Sequence, residues 1–521
     1  MVDCSNIASY HNIMIVTVQS ATVLGLTVVP VSVEVDVSSG GLPGLVIVGL
    51  PDKAVDESRE RIRSAIRASG LTVPARRVTI NLGPADLRKE GPGFDLPIAV
   101  AILAADGQIP EPPPGVQLIG ELALNGTLRP VRGVLPIAAA AATAGVSGVF
   151  VPQPNALEAA LVKGTIVYGP TSLRALTDHF TDPHQQIPAQ TRPRLRGAEV
   201  PRPETDFADI KGQAAAKRIL EIAAAGGHNV FLSGPPGTGK SLLAKALPGI
   251  LPPLREPELL EVTGIWSVAG LLARDQAIVD TRPFRAPHHS ISLPALVGGG
   301  SLPRPGEISL AHRGVLYLDE LPQFAPSVLE AIRGPLEDRV VRVSRSRYAS
   351  EFPSDCMLVA SQNPCPCGFA DDPDRPCTCT PAAVHRYRQR VSGPLRDRFD
   401  LWVGVPRIPY DQLTTTQPGE TSAAVRQRVT AARLIQRQRY GHELGTNANL
   451  DPQRFERYCA VDTASADLIR MATERWHLSV RAVHRVLKVA RTISDLADQA
   501  DITAASVAEA LSYRQPALTT A

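Results

Sequence analysis

From Val31 to Ser38 apolar and polar residues alternate, Val31, Val33, Val35 and Val37 against Ser32, Glu34, Asp36 and Ser38. A period of two predicts a strand with one buried face. The uncharged stretch Asn12–Val33 is long enough to be weighed as a membrane span, but Gln19, Ser20, Thr22, Thr27 and Pro30 interrupt it. It reads as further strand. The period then changes: Lys53–Ser69 sets Val55, Ile62 and Ile66 among charges and meets Gly70, which predicts an amphipathic helix and its stop. ARRVTINLGP reads as strand and turn, FDLPIAVAILAA as a buried helix, and GELALNGTLRPVRG as a hairpin turning at Asn125-Gly126. The alanine run Ala138–Ala144 and SGVFVP add a helix and a strand.

Residues 185–205 hold four prolines, polar residues and no period, the composition of a linker. Beyond it the helix-like AAAKRILEIAAAG leads into the apolar Val230, Phe231 and Leu232, and GVLYLDE and MLVASQNP supply two more apolar runs. Residues 282–313 form a Gly/Pro-rich insertion, and Glu337–Tyr348 alternates as a hairpin candidate carrying Arg342, Arg345 and Arg347 on one face. A polar loop at 414–421 precedes a helical remainder. In it Val480, Val483, Leu487 and Ala490 share one face, and Arg481, Arg485 and Lys488 share another. The pattern divides the chain into a tail (1–11), an α+β domain (12–184), the linker (185–205), an α/β core (206–410) and a helical region (411–521).

A chain of 521 residues is long enough for about three domains. Its 54 Lys and Arg against 51 Asp and Glu leave a net charge of +3, so any nucleic-acid argument must be local. No Lys or Arg occurs in the first eleven positions, against a secretory leader with a basic start, and a cytoplasmic protein is expected. Four of the seven cysteines crowd between 365 and 379, which implies no disulfide framework.

The most specific chemistry lies in Gly234-Pro235-Pro236-Gly237-Thr238-Gly239-Lys240-Ser241, between an apolar run and the helix-like LLAKAL. In such a loop the backbone N–H groups and the helix N-terminus face phosphate oxygens, Lys240 reaches the β/γ-phosphates, and the Ser241 hydroxyl ligates Mg²⁺. ATP and Mg²⁺ are the expected cofactors. Cys365, Cys367, Cys377 and Cys379 form two CxC pairs that suit a four-thiolate structural zinc site, the alternative being reduced cysteines in a loop. His288 and His289 are adjacent, which rarely lets two rings face one metal, and a structured loop is the favoured reading. The arginine-rich face of 337–348 reads either as a charged, solvated strand edge or as a track for phosphates.

Residues 12–184 resemble the Lon protease proteolytic domain in the order KEGPGFDLPIAVA, GELALNG, an Ala-rich helix and VFVP. Gly93, Phe94 and Asp95 stand where that family has its nucleophilic serine, and Leu135 where its lysine falls, so the resemblance implies an inactive scaffold. Residues 206–410 resemble an AAA+ ATPase core followed by a helical lid. That resemblance implies adenine contacts from Ile210, Gly212 and Gln213, Mg²⁺ binding by Asp319, a general base in Glu320 and a sensor in Asn363. It also implies an arginine finger in Arg398, ahead of Arg396, a second sensor in Arg481, and a pore hairpin bearing Arg342, Arg345 and Arg347. A finger acts in trans, which implies a ring.

With FRAPHHS, NPCPCG and ARTISDLA in addition, the chain from about residue 12 resembles the magnesium chelatase-like AAA+ family, in its ComM/YifB branch. Membership implies a homo-hexameric motor on single-stranded or branched DNA, a branch-migration helicase that assists homologous recombination or the integration of incoming DNA. The alternatives are a chelatase-like protein-remodelling or metal-insertion motor, and an ATP-dependent protease, which the missing dyad opposes.

Overall fold

The computed structural model describes residues 15–38, 42–50, 52–86, 89, 91–194, 203–272, 277–300, 303–344, 349–370, 372, 375–409, 419–441 and 445–514. The expected 1–11 tail, Arg345 and Arg347 lie outside them. The chain forms two compact units, residues 1–195 with 263–279 and 346–350, and the remainder.

The first unit carries a mixed seven-stranded sheet. The alternating stretch becomes β1 (Val16–Leu24) and β2 (Thr27–Ser38), paired antiparallel with Val18 opposite Val33. Val31, Val33 and Val35 are fully buried, as the period of two requires. With β3 (Gly44–Val48), β4 (Arg77–Gly83) and β5 (Val116–Leu118), they are followed by the short hairpin β6 (Glu121–Leu122) and β7 (Leu128–Arg129), then β8 (Gly148–Phe150) and β9 (Ile166–Tyr168). The sheet order is β3-β4-β2-β1-β5-β8-β9. Helix Lys53–Ala68 starts where the Asp52 carboxylate accepts from Val55 N at 2.8 Å and buries Val55, Ile62 and Ile66. Helix Asp95–Ala105 is apolar all round and correspondingly buried on all sides. The alanine-run helix spans Val134–Thr143.

The second unit is built on β10 (Val230–Ser233), β11 (Phe284–Arg285), the small ladder β12 (Gly298–Gly299) and β13 (Arg304–Pro305), β14 (Val315–Leu318), the two-stranded β15 (Val340–Ser344) and β16 (Ala349–Pro353), β17 (Met357–Gln362) and β18 (Leu401–Gly404). Five of these strands form an all-parallel sheet in the order β11-β14-β17-β10-β18. Its three central strands, β14, β17 and β10, are buried on both faces, which is why they read as continuous apolar runs. The expected insertion therefore contributes an edge strand, β11, too short for any periodic signal.

Helices Ser422–Tyr440, Pro452–Tyr458, Thr463–Trp476, Val480–Leu496 and Ala504–Ser512 join the same hydrophobic cluster as the sheet, through Val425, Val429, Val486 and Val507. The expected division of helix Val480–Leu496 is corrected at Val480. Val480 is 72% exposed because it sits in the first turn, ahead of the packed stretch. On the charged face, Lys488 Nζ donates to the carbonyls of Ala448 and Leu450 at 3.1 and 2.9 Å. Among the described residues no helix is long and apolar enough to cross a membrane.

Candidate nucleotide site and cysteine cluster

The phosphate-loop motif runs from the C-terminal end of β10 into helix Lys240–Ile250. Parallel α/β sheets bind ligands at that end. Gly237 and Gly239 have φ of +77° and +91°, in the left-handed region that glycine enters without strain. Lys240 is buried, and its ammonium donates to the carbonyls of Gly234 and Pro235 at 2.7 and 2.8 Å and to Asn363 Oδ1 at 3.1 Å. Burial lowers its pKa, partly opposed by the charges of Asp319 and Glu320. The lysine is thus held in the loop by carbonyls that a phosphate would replace.

Asp319 follows β14 and Asn363 follows β17, the two neighbouring strands on one side of β10. Ser241 Oγ donates to Asp319 Oδ2 at 2.9 Å. Ser361 Oγ donates to Asp319 Oδ1, and Tyr317 Oη lies 3.3 Å from Ser241 Oγ. Burial works to raise the Asp319 carboxyl, but hydrogen bonds from Ser361, Ser241 and Tyr317 outweigh it and hold the group below the usual range. The Ser241 hydroxyl and an ionised Asp319 therefore offer the adjacent oxygen ligands that Mg²⁺ takes beside a phosphate. Glu320 is exposed and adopts φ +51°, a conformation few non-glycine residues accept, which is common at functional sites. Its N–H donates to Ser361 Oγ at 3.2 Å and to Asp319 Oδ1 at 3.0 Å, leaving its carboxylate out in the open site.

The DIKGQ segment is fastened to the loop. Gln213, with φ +53°, donates through Nε2 to Thr238 O at 3.3 Å and to Pro406 O at 2.8 Å. Gly212 has φ +55°, and Ile210 is buried. Lys217 Nζ locks this turn by donating to the carbonyls of Phe207 and Ile210 at 2.9 and 2.6 Å.

Two expected residues stand apart from this cluster. Arg398 is 9% exposed and ion-paired with Glu337 on helix Pro326–Asp338, so engaging another subunit requires it to leave that pair. Arg481 is exposed at the first turn of helix Val480–Leu496, and among the described residues no hydrogen bond joins it to the phosphate loop. In the hairpin, Arg342 pairs with Asp338 at 2.6 Å and Glu351 at 2.9 Å. His288 bonds Ser290 Oγ through Nδ1 at 2.8 Å, and its ring stacks near that of His289.

The four clustered cysteines bring their Sγ atoms within 4.8 Å of one another. Cys365 and Cys377 are 3.6 Å apart, as are Cys367 and Cys377, and Cys365 and Cys367 are 3.3 Å apart. Four sulfurs about 2.3 Å from one tetrahedral zinc would lie nearly 4 Å from each other, so this donor set fits the ion. Backbone N–H groups of Cys367 and Cys379 donate to Cys379 and Cys377 sulfurs at 3.4 Å, the kind of support that thiolate ligands take. Zinc bound here would neutralise the thiolates and tie the two ends of the 365–379 segment together.

Ser361, Tyr317 and Glu337 escaped the sequence reading. Ser361 and Tyr317 lie two residues before Asn363 and Asp319, on the same strand face, and that period of two is the signal that reaches them.

Family models for magnesium chelatase match the chain in three places: subunit ChlI over residues 206–413, subunit ChlI of Mg-chelatase over 33–155, and the subunit ChlI C-terminal region over 419–514. The chain is 44% identical to YifB of Escherichia coli, over 95% of this chain and 96% of that one. It is 43% identical to competence protein ComM of Haemophilus influenzae, over 95% and 97%. The magnesium-chelatase 67 kDa subunit of Chlorobaculum parvum is 31% identical over 30% of this chain and 23% of its own length. A phosphate loop, an acidic strand end and a strand-end asparagine gathered at one edge of a parallel sheet, together with full-length likeness to YifB and ComM, mean that the chain belongs to the magnesium chelatase-like AAA+ family.

Proposed function

We propose that the chain is an ATPase motor that works as a homo-hexameric ring on single-stranded or branched DNA, driving branch migration in the cytoplasm during homologous recombination or uptake of foreign DNA. The observation that carries the ATPase reading is the convergence of Lys240, Ser241, Asp319 and Asn363, with Glu320 exposed beside them. In this reading Lys240 and the loop N–H groups bind the β- and γ-phosphates, and Ser241 and Asp319 hold Mg²⁺. Asn363 orients a water that Glu320 deprotonates for attack on the γ-phosphorus. Ile210, Gly212 and Gln213 border the base. Arg398 from a neighbouring subunit and Arg481 from the same chain stabilise charge on the γ-phosphate, which makes the monomer a poor hydrolase.

The DNA assignment is supported by the Haemophilus relative's being named a competence protein and by the arginines at 342, 345 and 347, the first of them on β15; the hairpin expected over 337–348 is corrected at its start, since Glu337 and Asp338 end helix Pro326–Asp338. Arg342 begins paired with two carboxylates, so a DNA phosphate must exchange for Asp338 or Glu351. Such contacts read backbone charge and not bases, and they weaken steeply with salt. The first unit acts as a Lon-like scaffold without peptidase chemistry: Asp95 is held by Arg61 at 2.8 Å, and Leu135 offers its backbone N–H to Glu158 at 2.9 Å. The cysteine cluster holds structural zinc.

Measuring ATP turnover with single-stranded, duplex and Holliday-junction DNA, at low and at physiological salt, tests the reading, with Glu320→Gln as the inactive control. DNA-stimulated turnover that fades with salt is expected. Turnover indifferent to every DNA, with no binding at low salt, would overturn it. The chelatase-named family models favour a second reading, a motor that remodels a partner protein; a stoichiometric protein partner that copurifies and stimulates turnover would establish it.

A further inference from the structure

The second unit has a polar cavity of about 70 Å³ at the opposite end of the core sheet from the phosphate loop, beside the starts of β10, β14 and β17. Its walls include the side chains of Arg282, Arg313, Arg433, Glu258, Asp355 and Thr446. Both carboxylates are already engaged. Glu258 pairs with Arg282 at 3.3 Å and accepts from Arg255 N at 3.0 Å, and Asp355 pairs with Arg313 at 2.6 Å. Arg433 is different. Its Nε and Nη2 donate to Ala224 O at 3.1 and 2.8 Å, and it has no ion-pair partner among the described residues. Burial, and next the neighbouring Arg282, push its pKa down.

Thr446 is 8% exposed, and its hydroxyl has no hydrogen-bond partner. The two groups converge. A Cβ placed on Gly227, whose φ is +75°, would lie 3.0 Å from Thr446 Oγ1 and 3.6 Å from Arg433 Nη2. The absence of a side chain at Gly227 therefore keeps open the space that both face.

A withdrawn cation without a counter-charge and an orphaned hydroxyl are each costly. One water would satisfy the hydroxyl and leave the charge. An anion satisfies both: Arg282 and Arg313 are already paired, with Glu258 and with Asp355 and Glu261, and Arg433 is the lining guanidinium that has no ion-pair partner among the described residues. A tetrahedral oxyanion offers oxygens to the free edge of a guanidinium and to a hydroxyl at once. At about 70 Å³ the cavity has room for a ligand of a few heavy atoms.

We propose that this cavity is a binding site for a small free oxyanion of the phosphate class, held by Arg433 and Thr446 and separate from the ATP site. The inference does not depend on the motor reading. It is tested with inorganic phosphate on the full chain carrying Lys240→Ala, which removes the phosphate loop's own cation, by following melting temperature and calorimetric binding against chloride at matched ionic strength. A saturable, phosphate-specific rise is expected. Adding Thr446→Val or Arg433→Gln should weaken phosphate binding by about tenfold or more, the worth of a hydrogen bond to a charged group. Thr446→Val should fold as well as its parent without phosphate, because it deletes a hydroxyl that has no partner. Absence of a phosphate-specific rise, or a rise that both variants leave unchanged, overturns the site. A single-stranded oligonucleotide that displaces phosphate from the Lys240→Ala protein but not from the Arg433→Gln protein would assign it to backbone phosphates and overturn the free-anion reading.

Discussion

Lys240 Nζ and Asn363 Oδ1 are hydrogen-bonded at 3.1 Å, joining the phosphate loop to the end of the neighbouring strand. The contact makes Asn363 a reporter of what occupies the loop. Its oxygen accepts from the lysine, and a γ-phosphate bound in the loop would compete for that ammonium and release the amide toward water. Asn363→Ala is expected to leave ATP affinity within a few fold, because Lys240 keeps its two carbonyl acceptors, and to lower kcat by about 100-fold. Steady-state turnover and binding of a fluorescent ATP analogue separate the two. An equal loss in affinity and none in kcat would show that Asn363 only holds the loop together.

Glu320 presents an exposed carboxylate from a strained backbone position, while Asp319 beside it is tied down by Ser241 and Ser361. The two acids are thereby assigned different work. Glu320→Gln should reduce kcat by about 100-fold to 10,000-fold with ATP binding intact, whereas Asp319→Asn should weaken Mg²⁺-dependent nucleotide binding itself. Titrating Mg²⁺ in both variants distinguishes them: a raised Mg²⁺ requirement belongs to Asp319→Asn alone.

The division of labour above shows what a sequence carries and what it withholds. The phosphate loop is legible because every part of it is local: glycines where the chain turns left-handed, a lysine and a serine at the first helical turn, apolar residues before them. The first sheet is legible for the same reason, since the Val31–Val35 alternation is also its burial pattern. Contacts across long separations are not. Nothing near Arg398 announces Glu337, nothing near Arg433 announces Thr446 or Gly227, and β11 is two residues long, below the reach of any period. Helix Val480–Leu496 is legible in its period but not in its partners: the fold brings the Ala448 and Leu450 carbonyls to Lys488, which nothing in the spacing announces.

Arg398 is held in its own subunit by a glutamate that is 53% exposed, so the pair is a latch with one solvated side. Removing the arginine strands no buried charge, because Glu337 stays in water, and a methionine keeps the packing of the buried arginine stem. Arg398→Met is therefore expected to melt near the parent temperature while losing turnover by about 1,000-fold. Mixing it with Glu320→Gln subunits should restore part of the activity if the finger works in trans, because some interfaces then combine an intact Glu320 with an intact Arg398. Glu337→Gln, which opens the latch, should raise turnover or leave it unchanged. No recovery in mixed rings would place Arg398 in its own subunit's structure.

The cysteine cluster begins two residues after Asn363, and its Gly368 lies against the phosphate loop. A Cβ added to Gly368, which has φ +91°, would come within 2.6 Å of the Pro236 ring. Whatever holds the four sulfurs together therefore also sets one wall of the nucleotide site, and zinc is the ion their spacing suits. Protein purified without chelator should contain one zinc per chain, and Cys367→Ser or Cys377→Ser should lose it. Because the loop then lacks its tether, nucleotide affinity should fall about tenfold, within the range that supporting contacts around a site usually command. Gly368→Ala separates the tether from the wall: it should keep its zinc and still bind ATP more weakly, since both the positive φ and the Pro236 ring oppose the new methyl group. Four accessible thiols and no metal in the parent protein would sink the zinc assignment, and full affinity in Gly368→Ala would sink the coupling.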